Sequence, residues 1–118
     1  MPTFVMRREE RLTRSSDFAR VHGGGKSWAN SLLVMRAIPS GREENRVGFS
    51  VSKRVGNAVV RNRVKRMLRE AVRSRTWEAG WDVVLIARAG TATSSFHEIG
   101  QALDDLAERS KIKIGKSG

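Results

Sequence analysis

The 118-residue chain contains no cysteine, no tyrosine and only two prolines. Without cysteine there is no disulfide framework and no thiolate metal site, a composition compatible with a reducing compartment. A chain this long can bury a core in one domain without covalent staples. Long hydrophobic runs are also missing. No stretch approaches the roughly 18 apolar residues of a membrane span. The opening "MPTFVMRREERLTRSS" lacks the apolar run of a secretory signal, so the expected location is the cytoplasm. Acids are scarce: 12 Asp and Glu face 23 Lys and Arg, a formal net charge of +11. Such an excess repels itself unless a polyanion neutralises it. Nucleic acid is favoured over an anionic membrane surface, because no segment reads as a basic amphipathic anchor with Trp and Phe on its apolar face.

Catalytic and metal-binding patterns are absent as well. His22 and His97 are the two histidines, and neither has a partner at i+3 or i+4 in a metal-ligand pattern. Asp104, Asp105 and Glu108 could hold hydrated Mg²⁺, but on the outer side of an amphipathic helix a solvated face is the stronger reading. "GGGKS" (Gly23 to Ser27) is not a P-loop. Position 20 is arginine where that motif needs glycine, and the flanking order of helix and strand is reversed. No serine–histidine–acid arrangement is legible.

What is present reads as alternating elements. "SSDFARVH" predicts a short helix capped at Ser15 and stopped by glycines 23 to 25. Ser27 to Ile38 is strand-like with a break near Asn30, and "LLVMRAI" suits a strand buried on much of both faces. "PSGREEN" is a loop. "RVGFSVSK" alternates as a half-buried strand, and the two strands with their short connection predict an antiparallel hairpin. Asn57 caps a helix from about Ala58 to Arg73. Trp81 to Ala87 is a compact apolar strand. Phe96, Ile99, Leu103 and Leu106 mark a final amphipathic helix whose outer side carries Glu98, Gln101, Asp105 and Glu108. Both ends, residues 1–13 and 111–118, are expected to be loose basic arms of a single domain. The element order indicates an α+β or α/β sandwich. Phe49, Trp81 and Phe96 are expected in the core. Phe18 fits either the core or a platform for stacking on a base, with the core favoured.

The central helix is at once apolar and cationic. At about 100° per residue, with Val60 at zero, Val64, Met67 and Ala71 fall within about 40° of it and Leu68 at the edge of the stripe. Arg61, Lys65 and Arg69 form an i, i+4, i+8 row on one flank. Asn62, Arg66 and Arg73 continue the arc, and Arg63 closes its far margin. Like charges at this spacing repel, whereas an ordinary solvated helix mixes Glu with Lys. The row therefore calls for an external counter-charge. Its arginines can engage phosphate with two hydrogen bonds and stack on bases, which favours RNA.

"RVGFSVSKRVGNAVVRNRVKRMLRE" resembles the signature of the bacterial ribonuclease P protein component. Its most specific piece is Arg61-Asn62-Arg63-Val64-Lys65-Arg66 after a strand and a Gly-Asn turn. An upstream "RL…DFARV", a strand pair, a "WDVVLIAR" strand and a closing helix extend the match over nearly the whole chain. The resemblance implies an α-β sandwich ordered α-β-β-β-α-β-α with a left-handed βαβ crossover, against the usual right-handed preference. It implies a protein subunit, monomeric within a ribonucleoprotein endonuclease, whose RNA carries out Mg²⁺-dependent removal of the 5′ leader from precursor tRNA. Mg²⁺ is then bound mainly by RNA and substrate, and no catalytic or metal-binding residue is expected on the protein. Carried over by position, Lys53, Arg54, Arg61, Asn62, Arg63, Lys65, Arg66 and Arg69 would contact RNA. Phe18 would line a cleft for the single-stranded leader, reversing the leaning towards the core. Two departures stand out: His22 occupies a position that is aromatic in many relatives, and Arg36 one on the outer sheet strand that can be aromatic elsewhere, which shifts leader contacts from stacking towards charge. The alternatives are a general RNA-binding or ribosomal protein without a role in cleavage, and a self-sufficient nuclease.

Overall fold

The computed structural model describes residues 3–5, 15–43, 45–112 and 114–116. Three helices are seen: α1 (Ser15–Gly24), α2 (Ala58–Arg73) and α3 (Phe96–Ser110). The strands are β1 (Thr3–Val5), β2 (Lys26–Ala29), β3 (Leu33–Pro39), β4 (Arg46–Ser50), β5 (Arg75–Glu78), β6 (Trp81–Ala87) and β7 (Ile114–Lys116). The α1-β2-β3-β4-α2-β6-α3 series reproduces the expected order.

The main sheet has the order β2-β3-β6-β4. β2 and β3 form an antiparallel hairpin turning at the expected break, where the Asn30 side-chain oxygen accepts from the backbone N–H of Leu32 and Leu33. The predicted β3–β4 hairpin does not form. β6 lies between them, antiparallel to β3 and parallel to β4. The apolar run Val83 to Leu85 is buried on both faces and takes the central position. α2 thus belongs to a crossover joining two adjacent parallel strands.

β6 sorts its neighbours onto two faces through the register. Leu33, Met35, Ala37, Val83 and Leu85 share one face with Val47 and pack with Val64, Leu68, Ile99 and Leu103 of α2 and α3 in the main core. On the opposite face, α1 packs on β3 and β6. Val21 and Val84 are buried there with Phe18, Ile38 and Ile86 against them. α1 runs through Gly24, two residues past its predicted end, and already includes Ser15, the predicted cap. At Gly25 a Cβ would lie 2.5 Å from the Val21 carbonyl oxygen and 2.8 Å from that of Ala37. The glycine run therefore serves a tight helix-to-strand passage.

A second sheet, β1-β5-β7, takes in a short stretch from each end of the chain. Thr3–Val5 and Ile114–Lys116 each pair antiparallel with β5. Of those arms, residues 1–2, 6–13, 113, 117 and 118 lie outside the described residues, whereas Ile112 is buried in the main core. β5 itself was not anticipated. It carries Trp77, which is fully buried and donates its indole N–H to the Val72 carbonyl. Arg75 is buried too. It forms a two-point ion pair with Asp104 of α3 (2.7 and 3.1 Å) and donates to the carbonyls of Ala71 and Gly100. Phe96, expected in the core, is 45% exposed at the start of α3, because Ile99 and Leu103 define the buried stripe one turn further on. Trp81 and Phe49 are half-buried against the core.

Candidate nucleic-acid interface

α2 begins where the sequence places it. The Asn57 side chain accepts from the Val60 N–H at 3.0 Å. Val64, Leu68, Ala71 and Val72 are its buried residues. The buried arc is therefore centred about 70° from Val60, towards Leu68, rather than on Val60 itself. This rotation redistributes the cations. Asn62, Arg66 and Arg73 face solvent, together with Val59, whereas Arg61, Lys65 and Arg69 are half-buried along the shoulder of the helix. Arg63, also half-buried, donates from Nη2 to the Ala92 carbonyl in the 3₁₀ helix Ala89–Thr93 that follows β6. It fastens α2 to the C-terminal end of β6. Lys53 and Arg54 lie beyond the end of β4, exposed in the turn leading to α2.

Among the described residues, Arg73 is the only cation of α2 in an ion pair, with Glu70 at 3.7 Å. Arg61, Arg63, Lys65, Arg66 and Arg69 have no acidic partner there, and Arg69 Nε is buried without a hydrogen bond. A sequestered guanidinium N–H without an acceptor is costly. A phosphate beside the row would relieve the like-charge repulsion along it.

The α1 face of the sheet forms three crosswise rows, read from the register. Ala29, Val34, Ile86 and Ser50 make the row nearest the exit towards α2. Ser27, Arg36, Val84 and Gly48 make the middle row. Ile38, Asp82 and Arg46 make the far row. α1 crosses this face, and its Phe18 is half-buried on the cluster built on Val84. His22, one turn after Phe18, is exposed. Arg36 is half-buried beside Val84, and its Nε is a second buried N–H without a partner. Phe18 and His22 of α1 and Arg36 of β3 are thus on the same side of the sheet. Phe18 is half-buried, with part of its ring packed on the small Val21–Val84 core.

Sequence reasoning missed the far row. Asp82 is completely buried, and three arginines converge on it. Arg46 grips it with two hydrogen bonds (3.2 and 2.9 Å), Arg20 of α1 bonds Oδ2, and Arg42 stands 3.7 Å from Oδ1. A lone Asp opening an apolar strand was the available signal. Its partners lie 36 and 62 residues away, so no local spacing could name them.

A helix whose arginines mostly lack an acidic partner among the described residues, set beside a sheet face crossed by α1, defines a basic α+β domain whose charge suits a polyanion. Comparison with known proteins narrows that class. A profile of the ribonuclease P family matches residues 6–111. The ribonuclease P protein component of Dehalococcoides mccartyi is 44% identical over 91% of this chain and 89% of its own length. That of Clostridioides difficile is 40% identical over 91% of this chain and 96% of its own. The RNase P protein of Thermotoga maritima superposes with a TM-score of 0.75 at 30% identity, covering 85% of this chain and 96% of that one. A Staphylococcus aureus RNase P protein mutant with defective mRNA degradation activity gives a TM-score of 0.79 at 29% identity, over 90% and 92%. The chain belongs to the ribonuclease P protein family, the protein subunit of a tRNA-processing endoribonuclease.

Proposed function

We propose that α2 docks this subunit, as a single copy, on the catalytic RNA of ribonuclease P, while the groove beneath α1 holds the single-stranded 5′ leader of precursor tRNA in the cytoplasm. The observation carrying this reading is the row Arg61, Lys65 and Arg69, with Arg66 beside it, held by a fully buried stripe and left without an acid among the described residues. Lys53, Arg54, Asn62 and Arg63 extend the surface at the helix start. A rigid helix presents these donors with little entropy left to lose, so binding energy is not spent on ordering them.

In the groove, Phe18 offers a ring face to one base. Arg36 offers a guanidinium whose Nε lacks a partner, and His22 offers a polar edge. Together they hold a strand by stacking and charge, without reading sequence. The protein's work is to fix the leader relative to the catalytic RNA and to offset phosphate repulsion. The hydrolytic step belongs to the RNA, with Mg²⁺ held by RNA and substrate phosphates. Among the described residues, no three His, Asp or Glu side chains gather as metal ligands.

Reconstitution tests this reading. Protein, catalytic RNA and precursor tRNA are combined at low Mg²⁺, where phosphate repulsion is least screened. Correct 5′ cleavage well above that of RNA alone is the expected result. No gain would favour a general RNA-binding protein, and cleavage by the protein without RNA would favour a self-sufficient nuclease.

A further inference from the structure

Two large hydrophobic side chains stand exposed among the described residues: Val59 at 77% and Phe96 at 45%. Single surface hydrophobics are ordinary. These two share a neighbourhood, because both flank Arg63. Val59 precedes Arg63 by four positions, so the two are neighbours on the surface of α2. Arg63 donates to the Ala92 carbonyl, and Phe96 follows Ala92 by four positions. Arg63 Nη1 also lies 4.0 Å from Met67 Sδ, so the guanidinium is fixed at two points. It has no acidic partner among the described residues.

α2 and α3 lie side by side with their N-termini at the same end. Arg63 reaches the turn ahead of α3, whereas Arg75, just past α2, reaches Gly100 and Asp104 further along it. On α3, Phe96 falls about 60° from Ile99, in line with buried Leu103 and Ala107 and at least about 120° from Asp105 and Glu108. Gly100, next to that line, meets Arg75: a Cβ there would lie 2.9 Å from Arg75 Nη2. The Phe96 ring therefore belongs to the α2 side of α3, not to its acidic outer face. The nearby Glu98 carboxylate is turned back onto the Ser95 N–H. On α2, Val59 and Arg66 lie about 20° apart on the crest opposite the buried arc.

Phosphate chemistry accounts for Arg63 and Arg66 but not for an exposed ring and a valine beside them. A protein partner would need about 800 Å² of complementary surface on each side, far more than two side chains set among arginines supply. A nucleotide needs both kinds of contact at once, a base face and a phosphate. We propose that Phe96, with Val59 across Arg63, takes unpaired bases of the catalytic RNA. Phe96 stacks on one base, Val59 covers the apolar face of another, and Arg63 and Arg66 hold the phosphates between them. The inference rests on α2 being the helix that docks on that RNA. It carries the contact over α2 onto the start of α3. It also makes docking selective for unpaired nucleotides, because a base within a helix has no free face to offer.

The test is equilibrium binding of the full chain to the catalytic RNA, and to a fully paired RNA duplex, from low to moderate salt. Phe96→Ala should weaken binding to the catalytic RNA about five- to tenfold, the lower end of base stacking on a side chain. That loss should be the same at every salt concentration, because a ring releases no counterions. Arg66→Ala should instead make the salt slope shallower. Val59→Ala should lose about twofold. Phe96→Trp should bind at least as tightly as wild type. Phe96→Leu keeps an apolar side chain on the fold but should recover little of the affinity. On the duplex, Phe96→Ala and wild type should bind alike. Unchanged affinity in Phe96→Ala, an equal loss on the duplex, or Phe96→Leu binding like wild type overturns the stacking site. If Arg66→Ala also binds like wild type, it is the docking of α2 that fails. If Arg66→Ala loses affinity while Phe96→Ala does not, only the stacking site is wrong. Wild type sedimenting as a dimer without RNA, with Phe96→Ala a monomer, would make the patch a contact between copies and likewise overturn the proposal.

Discussion

Val64 and Arg66 stand two positions apart on α2 and point about 200° from each other. Val64 is fully buried and Arg66 exposed. Val64→Asp places a charge in the core with no partner and is expected to unfold the domain, visible as loss of the cooperative urea transition. Arg66→Ala leaves the fold intact and weakens affinity for the catalytic RNA, with a salt slope shallower by about 0.7 to 0.9. RNA affinity unchanged by Arg66→Ala from low to moderate salt would remove the helix from the interface. At α3 the capping box can be tested by pH. Ser95 Oγ accepts from the Glu98 N–H, and the Glu98 carboxylate accepts from the Ser95 N–H. Hydrogen bonding of the carboxylate to Ser95, first to its backbone N–H and second to its side chain, lowers the Glu98 pKa. A lowered folded value means the stabilisation is complete above the ordinary carboxylate range and fades as pH falls through the folded value. Glu98→Gln should therefore narrow its stability gap to wild type as the solution is acidified below the ordinary carboxylate range. A gap that stays constant would show that the carboxylate charge is immaterial to the cap. Ser95→Ala should cost about 1 kcal/mol near neutral pH.

Elements with their own local signal were legible. α2 is bounded as its cap and apolar spacing predict, and β6 spans the predicted Trp81 to Ala87 between its glycines. What failed was pairing. Neither β3 nor β4 carries a mark saying that β6 will insert between them, because strand order is set by contacts dozens of residues apart. β5 was missed for a related reason. "RTWE" has no apolar run, and its burial comes from Trp77 beneath α2 and from Arg75 reaching α3. The basic shoulder of α2 was legible in composition, but its orientation was displaced because Val72, outside the counted stripe, is buried. The Phe18–His22–Arg36 grouping was visible only by resemblance, since it depends on α1 packing across β3. Arg75 makes the element scale testable. Arg75→Met keeps much of the side chain's bulk but strands the Asp104 carboxylate and two carbonyls. Asp104 is 42% exposed, so water recovers part of the loss. The expected cost is about 2–3 kcal/mol, below that of breaking a wholly buried pair. Urea unfolding with an unchanged m value would register it. A change under 1 kcal/mol would mean that α2, β5 and α3 hold together by apolar packing alone.

Over the whole molecule, charge is segregated rather than merely abundant. The cations gather on α2 and around the groove. Exposed Glu98, Asp105 and Glu108 gather on α3, which packs on β2 and β3 with α2 beside it. The outer sides of the two helices are separated by on the order of 20 Å, two helix diameters. At physiological ionic strength the Debye length is only about 8 Å, and at 0.01 M it is about 30 Å. Net charge and local surface can therefore be told apart by salt. Replacing Asp105 and Glu108 with Lys raises the net charge by four, and both side chains are exposed. If RNA sits on α2 and the groove, the double variant should bind catalytic RNA more tightly than wild type in 0.01 M salt. Near 0.15 M its affinity should return to within about twofold, because the added charges are then more than two Debye lengths away. Arg66→Ala should remain weaker than wild type at 0.15 M, since its contact is direct. A persistent gain for the α3 variant at 0.15 M would show that RNA wraps onto that helix. It would also turn the acidic face from a bystander into part of what orients the protein on its RNA.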